Sequence, residues 1–447
     1  MEPRRQSCLR SDVVDLDPTC AIVPFGIRGA YLYPPDEFSY VGSPPFMTKG
    51  AGYPSVTLAR PLEARVKAGH PWVYRDALVP GARLSDGEVV LLRSRGRRPL
   101  ALGYWDARAP IALRVLCLDP DLAPAALARL IDERVAAALE GRRRRLSPDE
   151  TTAYRWVHGE ADGLPGVHVD LYGDVAAVRF DGRGARAFYR SLPERLVGTT
   201  ALAPITVPGH ASGLRAVIDR EGRVPLWGDP PATLEVLENR HRFGVDLLRG
   251  QKGGLFLDQR ENRAAVEGLA RGRRVLNLFG YTGGFSVYAA CGGARSTDTV
   301  DLAKPALVAA RENFVRNGLS LEAAAFHPAD AFEFLVAAIA ERRSWDLVIS
   351  DPPSFAPRKD VLPAARKAYT RLHQLCARVT APAGLFFPAS CSSHLSQRDF
   401  LATVKTGLEA AGKTGRLGVV RGAGFDHPLV PWFPEGDYLK FVRVDVT

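Results

Sequence analysis

Long apolar runs and paired cysteines are both missing from this chain of 447 residues. No stretch approaches the roughly 18 uninterrupted apolar residues that a membrane-spanning helix requires, and no basic segment with an apolar core opens the chain. These absences argue against a membrane span and a secretory signal. The six cysteines are scattered without a CxxC pair, which argues against a zinc site and a disulfide framework. We therefore expect a cytoplasmic protein without a metal site.

Acidic residues are outnumbered by basic ones, with 49 Asp and Glu against 59 Lys and Arg and a formal net charge of +10. A basic balance of this size favours a polyanionic partner such as nucleic acid, although a GC-rich genome also enriches arginine. Two arginine runs, at residues 93–98 and 142–145, concentrate the charge. Either run alone is as readily explained by a solvated surface, but the two together favour nucleic acid.

Length and pattern divide the chain into four predicted regions, since 447 residues exceed one ordinary domain. Residues 1–54 lack sustained periodicity and are predicted to form a poorly structured extension. Residues 55–121 hold short strands separated by turns, which is typical of a small β-barrel or sandwich. Residues 122–238 mix helical and strand patterns, with a hairpin formed by 167–171 and 175–180, and predict a small α/β domain for which a spacer or docking role is expected. Strands and helices alternate through residues 239–447, which predicts a mainly parallel sheet.

Three local patterns refine this division. Residues 62–74 indicate a basic amphipathic helix that leads into a His-Pro-Trp turn. The last two strands, at 417–420 and 438–444, have no helix between them and should therefore pair antiparallel. The only methionines are Met1 and Met47, and Met47 is a candidate for the true start, in which case residues 1–46 do not belong to the functional protein.

The most informative stretch is residues 274–301. An apolar strand at 275–279 runs into a glycine-rich turn, a helix follows at 285–291, and a second strand ends in Asp301 about twenty residues beyond the first glycine. A carboxylate at this spacing is where nucleotide-binding α/β units contact ribose hydroxyls. The turn reads GYTGG, which lacks the GxGxxG spacing of dinucleotide-binding proteins.

Two further aspartates follow later strands of the same region, Asp330 after the third strand and Asp351 after the fourth. The carboxyl ends of parallel strands share one edge of a sheet, and ligands bind at that edge. A single aspartate there is commonly only a loop cap, whereas three at successive strand ends are much less so. The stretch therefore predicts a cofactor site.

A family resemblance rests on seven motifs, which occur in the family's order over residues 55–447. They are HPWVY (70–74), GEADGLPGVHVD (159–170), GQKGGLFLDQRENR (250–263), NLFGYTGGFS (277–286), DPPSF (351–355), SCSS (390–393) and DHPLVPWFPEGDYLKF (426–441). The chain resembles the bacterial class I S-adenosylmethionine (SAM)-dependent 23S ribosomal RNA (cytosine-5) methyltransferases that carry an N-terminal PUA domain. One departure is Gly253, where the family usually has threonine.

The resemblance implies an α/β architecture. It consists of a PUA β-barrel, a small central α/β domain and a Rossmann-like SAM-binding domain that ends in an antiparallel hairpin. The cofactor would be SAM, whose lack of phosphates means that the glycines serve close backbone approach. Asp301 would accept hydrogen bonds from the ribose hydroxyls, and Asp330 would suit the adenine amino group. The remaining implied cofactor contacts are Phe256, Arg260, Phe279, Gly280, Thr282, Gly283, Gly284 and Asp351.

Cys391 is the candidate that decides the reaction class. Carbon 5 of cytosine is too weak a nucleophile to take a methyl group unaided, and attack of a cysteine thiolate on carbon 6 activates it. Cys391 follows an apolar strand directly, which places it at the same sheet edge as Asp351, the candidate for a hydrogen bond near ring nitrogen 3. Cys291 and Cys376 lie on predicted helices and suit core positions instead. The target base would have to leave its stack.

Three alternatives stay open. A ribosomal RNA methyltransferase acting on guanine N7 would share the Asp-Pro-Pro loop and need no cysteine. An RNA-binding ribosome-assembly factor could keep SAM as a structural ligand. A nicotinamide oxidoreductase is disfavoured by the GYTGG turn and the terminal strand pair. The expected partner is large-subunit ribosomal RNA or an assembly particle, with a possible homodimer and no membrane.

Overall fold

The computed structural model describes residues 52–203, 205, 212–248 and 254–447. Nearly all of the predicted N-terminal extension, the candidate start at Met47 and the departure at Gly253 lie outside the described residues. No helix in this part of the chain is long and apolar enough to cross a membrane.

The first region is a five-stranded sheet in the order β1-β3-β4-β5-β2. Its strands are β1 (Ser55–Thr57), β2 (Trp72–Tyr74), β3 (Val89–Arg93), β4 (Pro99–Trp105) and β5 (Ile111–Cys117). Strands β1 and β3 are parallel, and the other neighbours are antiparallel. Val73, Leu92 and Leu113 lie in its apolar core. This is the small β domain that the short strands predicted.

Within residues 62–74, the helix predicted before the His-Pro-Trp turn is short. Helix α1 covers only Glu63–Lys67, and Trp72–Tyr74 forms β2, which pairs with β5. Gly69 adopts a left-handed backbone with a φ of 99°, which takes the chain out of the helix. Pro71 then cannot donate the backbone hydrogen bond that a continuing helix needs. The His-Pro-Trp segment therefore enters a sheet.

The second region is another five-stranded sheet, in the order β10-β9-β8-β7-β6. Its strands are β6 (Ala153–His158), β7 (Val167–Tyr172), β8 (Val175–Phe180), β9 (Ala216–Asp219) and β10 (Val224–Gly228). Its helices are α2 (Pro124–Arg143), α3 (Arg183–Phe188) and α4 (Leu192–Leu202). Strands β7 and β8 form the predicted hairpin, and Trp156 is fully buried in the core beneath α2.

The second arginine run is not uniformly solvated. Helix α2 continues into the run, and Arg142 is buried with both terminal nitrogens 2.7 Å from the carboxylate oxygens of Asp162. Its guanidinium also donates to the backbone carbonyl of Asp426 at 2.8 Å. Arg142 is thus a structural residue, whereas residues 143–145 are exposed.

The boundary predicted between residues 238 and 239 falls inside a β-hairpin. Strand β11 (Leu234–Glu238) pairs antiparallel with β12 (His241–Val245). Their side chains Val236 and Phe243 belong to one apolar cluster that also holds Tyr288 of the third region. The hairpin therefore shares its core with both neighbouring regions.

The third region is a seven-stranded sheet in the order β15-β14-β13-β16-β17-β19-β18. Its strands are β13 (Arg274–Leu278), β14 (Ser296–Asp301), β15 (Ala324–Pro328), β16 (Trp345–Ser350), β17 (Thr380–Ser390), β18 (Gly415–Arg421) and β19 (Lys440–Val446). Its helices are α5 (Arg260–Glu267), α6 (Gly284–Cys291), α7 (Lys304–Arg316), α8 (Ala331–Ala340), α9 (Leu362–Val379) and α10 (Gln397–Ala410).

Strand direction in this sheet follows the prediction. Strands β13 to β17 are parallel, while β19 runs antiparallel to both β17 and β18. The chain moves outward from β13 to β15 and then crosses back to β16, so the strand order reverses beside β13. Open α/β sheets bind ligands at the carboxyl ends of strands near such a reversal. The α/β class and the antiparallel C-terminal pair are confirmed.

Candidate active site

The glycine turn after β13 adopts a backbone that favours glycine. Phe279, Tyr281 and Gly283 have left-handed φ values of 57°, 48° and 79°. A Cβ at Gly283 would lie 2.9 Å from the Cβ of Ala310, and one at Gly280 only 2.5 Å from a methyl of Thr299. Side chains at these two glycines would collide with α7 and β14, so the turn lies close against both elements.

Asp301 holds the turn in place. One carboxylate oxygen accepts from the Tyr281 N–H and the other from the Ala303 N–H, each at 2.8 Å. The Thr282 hydroxyl donates to the carbonyl of Gly254 at 2.8 Å, and Asn313 donates to the Thr282 carbonyl at 2.9 Å. The acidic strand end and the glycine turn thus form one structure.

The other predicted carboxylates also have observed roles. Asp330 is the N-cap of α8, where one oxygen accepts from the N–H groups of Phe332 and Glu333 at 2.8 and 3.1 Å. Asp351, directly after β16, accepts from the Gln259 side-chain amide at 2.9 Å.

Phe256 and Arg260, the two predicted cofactor contacts that lie before the glycine turn in the chain, have different surroundings. The Phe256 ring lies edge-on to Tyr281 with 5.5 Å between ring centroids, so it is beside the glycine turn. Arg260 is 1% exposed, and its guanidinium donates to both carboxylate oxygens of Asp426 at 3.0 and 3.1 Å. It also lies over the Phe425 ring. These contacts engage Arg260 within the protein, and its role toward the cofactor stays a prediction.

The residues around the turn fit SAM. The segment 277–286 contains no Lys or Arg, and the carboxylates of Asp301, Asp330 and Asp351 stand at successive strand ends. SAM carries hydroxyl and amino donors and a sulfonium cation, which suit such a carboxylate-rich edge. A pyrophosphate would be repelled by the same carboxylates. Glycine at positions 280 and 283 lets the turn pack directly against β14 and α7, which a larger residue would prevent.

Cys391 opens into a cleft of about 570 Å³ that all three regions line. Trp72 comes from the first region, Arg155 and Asp170 from the second, and Phe256 from the third. Phe256 thus contributes both to this cleft and to the surroundings of the glycine turn. The structure therefore brings the candidate nucleophile and the candidate cofactor turn to neighbouring positions.

Hydrogen bonds fix the backbone on both sides of Cys391. The Ser390 hydroxyl lies 2.9 Å from the hydroxyl of Tyr369, and the Ser392 hydroxyl lies 2.8 Å from that of Ser354. Ser354 belongs to the DPPSF motif, so the motifs after β16 and β17 are joined directly. Cys391 itself is partly exposed.

The other described cysteines are placed differently. Cys376 is fully buried on α9, and burial raises the pKa of its thiol. Cys291 ends α6, and Cys117 ends β5. Neither Cys376 nor Cys291 lines the cleft.

The central region supplies functional walls that the sequence did not predict, since a spacer or docking role was expected for it. Arg155 donates to Asp170 at 2.5 Å and contacts the rings of His158 and His168 at 2.8 and 3.1 Å. Although burial raises the pKa of Asp170, Arg155 and Arg220 lower it to about 2. Burial and the Arg155 charge hold the pKa of His158 well below its usual range, so the imidazole is neutral.

Two contacts of Trp72 join the three regions in the lining of the cleft. The Trp72 indole N–H donates to Glu160 at 2.7 Å, and the Trp72 ring lies 4.7 Å from that of Phe433. Glu160 also accepts from Arg114 at 3.1 Å. The sequence feature that could have predicted a role of the central region in the site is the density of His, Asp and Glu in the motif at 159–170.

Known protein families match two parts of the chain. The family described as S-adenosylmethionine-dependent methyltransferase matches residues 219–411, and the PUA-like domain family matches residues 56–118. SAM is therefore the cofactor, and the chain is a methyltransferase. The PUA match coincides with the first sheet.

Solved structures with the same fold cover most of the chain. A SAM-dependent methyltransferase from Streptococcus mutans superposes with a TM-score of 0.74 at 23% identity, covering 88% of this chain and 99% of that one. A methyltransferase crystallised with S-adenosylhomocysteine gives a TM-score of 0.75 at 24% identity, covering 88% and 100%. At these identities the likeness shows the fold alone.

Curated relatives are more similar in sequence. Ribosomal RNA large subunit methyltransferase I of Shewanella denitrificans is 33% identical over 391 residues, covering 85% of this chain and 95% of that protein. Ribosomal RNA large subunit methyltransferase of Deinococcus radiodurans is 35% identical over 404 residues, covering 87% and 97%. This chain therefore belongs to the PUA-containing, SAM-dependent family of bacterial large-subunit ribosomal RNA methyltransferases that its motifs resemble.

Proposed function

We propose that this enzyme methylates carbon 5 of a cytosine in large-subunit ribosomal RNA through a covalent bond between Cys391 and the base. The observation that carries the proposal is the position of Cys391, directly beyond β17 in the cleft that Phe256 also lines. The relatives' names supply the class of substrate. A guanine-N7 enzyme would have no use for a cysteine at this position.

The chemistry assigns a step to each group. When bound, SAM supplies an electrophilic methyl group. The Cys391 thiolate forms a bond to carbon 6, which moves electron density to carbon 5 and lets that carbon take the methyl group. Asp351, at the end of the neighbouring strand, is suited to a hydrogen bond near ring nitrogen 3. Carbon 5 then loses its proton to a base, and the carbon–sulfur bond breaks to return the thiolate.

The turn and its carboxylates hold the donor in this proposal. Gly280, Gly283 and Gly284 allow close backbone approach, Asp301 faces the ribose hydroxyls, and Asp330 serves the adenine amino group. Phe279 and Thr282 complete the turn, with Phe256 and Arg260 as the further contacts carried over from the family.

RNA would also be held by exposed arginines outside the residues that line the cleft. Residues 95–98 and 143–145 are exposed and carry arginines that can contact phosphates. The target cytosine must leave its stack to enter the cleft, where Trp72 offers an aromatic edge. The cleft is open to residues of all three regions, which suits a substrate larger than a nucleotide.

The test compares Cys391→Ala with Cys291→Ala, a control outside the cleft. Each variant is expressed in a strain that lacks the native gene, and ribosomal RNA is read by bisulfite sequencing. We expect Cys291→Ala to restore one protected cytosine and Cys391→Ala to restore none. RNA containing 5-fluorocytosine at that position should form a covalent complex with the wild type and none with Cys391→Ala. Full methylation by Cys391→Ala would refute the covalent mechanism, and an unchanged cytosine map in the deletion strain would refute cytosine methylation altogether.

A further inference from the structure

Lys440 is buried directly behind the candidate nucleophile. It is the first residue of β19 and the cross-strand partner of Ser390, the last residue of β17. Its ammonium donates to the carbonyl of Ser392 at 2.8 Å and to that of Tyr438 at 3.0 Å. Lys440 thus contacts the chain on both sides of Cys391.

The ammonium is in an environment that should disfavour its charge. Lys440 is only 4% exposed, and burial lowers the pKa of its side chain. Both hydrogen-bond acceptors are neutral carbonyls, and among the described residues no carboxylate oxygen lies within 4.0 Å of the ammonium. A buried charge without an anionic partner is costly. The groups that favour its charge are Asp437 and the Cys391 thiolate.

Negative charge around Cys391 should disfavour ionisation of its thiol. Six carboxylates line its cleft; arginines pair with four of them, and Glu221 and Asp258 have no arginine within 4.0 Å among the described residues. Asp258, which accepts from the Tyr438 hydroxyl at 2.7 Å, is among those acids. Asp351 directly follows the neighbouring strand β16. Burial raises the pKa of the Tyr369 phenol, which therefore stays uncharged. Negative surroundings oppose a thiolate, so a cation close to Cys391 is needed to form one.

We propose that Lys440 is a positioning residue whose buried ammonium stabilises the thiolate of Cys391. The inference rests on the proposed function for its consequence in catalysis. The thiol proton leaves to solvent when the pair forms, and Lys440 stays protonated throughout. When the carbon–sulfur bond later breaks, the electron pair returns to sulfur beside the same ammonium, so Lys440 favours both attack and release.

The test is the pH dependence of Cys391 alkylation by iodoacetamide in the full-length protein without RNA or SAM. The modified peptide is quantified by mass spectrometry, which separates Cys391 from the other cysteines. In Lys440→Gln, which keeps a donor for the carbonyls but lacks the charge, we expect the midpoint to rise by about one pH unit or more. Alkylation at pH 7 should fall about tenfold, and Lys440→Arg should stay close to the wild type.

Lys413→Met is the matched control. Lys413 is also partly buried with a lowered pKa and donates to a single carbonyl, that of Thr380, but no effect of Cys391 on it is resolved. Its removal should leave the Cys391 profile unchanged. A wild-type profile in Lys440→Gln, with the melting temperature of the control, would overturn the inference. An equal shift in Lys413→Met would also overturn it, because the effect would then be general.

The two proposals can fail separately. If Cys391→Ala methylates RNA normally, the proposed function fails whatever the alkylation profile shows. If Cys391→Ala is inactive but Lys440→Gln alkylates like the wild type, only the role of Lys440 fails. Should Lys440→Gln not fold, Lys440→Met decides in its place, since a raised midpoint supports a role for the charge and an unchanged one contradicts it.

Discussion

Replacing Gly283 by alanine should both destabilise the protein and weaken SAM binding. Gly283 has a left-handed φ of 79°, and an added Cβ would lie 2.9 Å from the Cβ of Ala310. Left-handed backbone costs an alanine about 1–2 kcal/mol. Overpacking against α7 adds about 1–3 kcal/mol, because the contact is with a short side chain that cannot rotate away. The expected loss in free energy of unfolding is therefore about 2–5 kcal/mol.

Gly318→Ala separates these two costs. Gly318 has a similar φ of 65°, but an added Cβ would meet nothing within 4 Å. This control should lose only the backbone cost of about 1–2 kcal/mol. Its SAM affinity should equal that of the wild type, because residue 318 follows the far end of α7.

Urea denaturation and calorimetric titration with SAM provide the measurements. Gly283→Ala should move the glycine turn away from α7 and reduce SAM affinity about tenfold or more, which corresponds to about 1.4 kcal/mol. Equal destabilisation of the two variants would show that steric contact with Ala310 contributes nothing. Unchanged SAM affinity in a folded Gly283→Ala would refute the assignment of this turn to the cofactor.

Three further predictions concern charge. The pKa of Asp170 is lowered in the folded state to about 2 from an ordinary 3.8. Its carboxylate therefore contributes about 2 kcal/mol of stability above pH 4, which is lost as the pH falls toward 2. Asp170→Asn should remove this pH dependence of the free energy of unfolding between pH 2 and 5. Asp426→Ala removes the two-pronged partner of the buried Arg260, which keeps only its bond to Glu261, and should cost about 3–5 kcal/mol in urea denaturation, whereas Asp360→Ala, which breaks an exposed pair, should cost less than about 1 kcal/mol. Replacing the arginines of residues 93–98 by glutamine should weaken RNA binding and flatten its salt dependence in filter-binding assays, with SAM affinity as the unchanged control.

Local sequence patterns were sufficient for the parts of the site that lie close together in the chain. The apolar strand before Gly280 and the carboxylate at Asp301 are about twenty residues apart, and their pairing follows from one βαβ unit. The absence of a helix between the last two strands predicted their antiparallel pairing for the same local reason. The Asp351 and Cys391 positions followed from the rule that parallel strands end at one edge.

Other features depended on contacts that no local pattern encodes. A short strand at Trp72–Tyr74 replaced a predicted turn because its partner, β5, lies some forty residues later in the chain. Arg260 and Asp426 are separated by 166 positions, and Arg142 reaches the carbonyl of Asp426 across 284. Only packing of the three regions shows that these charges are buried and paired.

The sequence by itself determined the parallel sheet, the glycine turn and the position of Cys391 at the sheet edge, because strand periodicity and turn composition are local properties of the chain. Tertiary structure alone decided what surrounds that cysteine. The central region was expected to be a spacer, yet its Arg155 and Asp170 line the cleft together with Trp72 of the first region. Lys440 lies behind the nucleophile because an antiparallel register sets it opposite Ser390, and register is fixed by packing rather than by residue spacing.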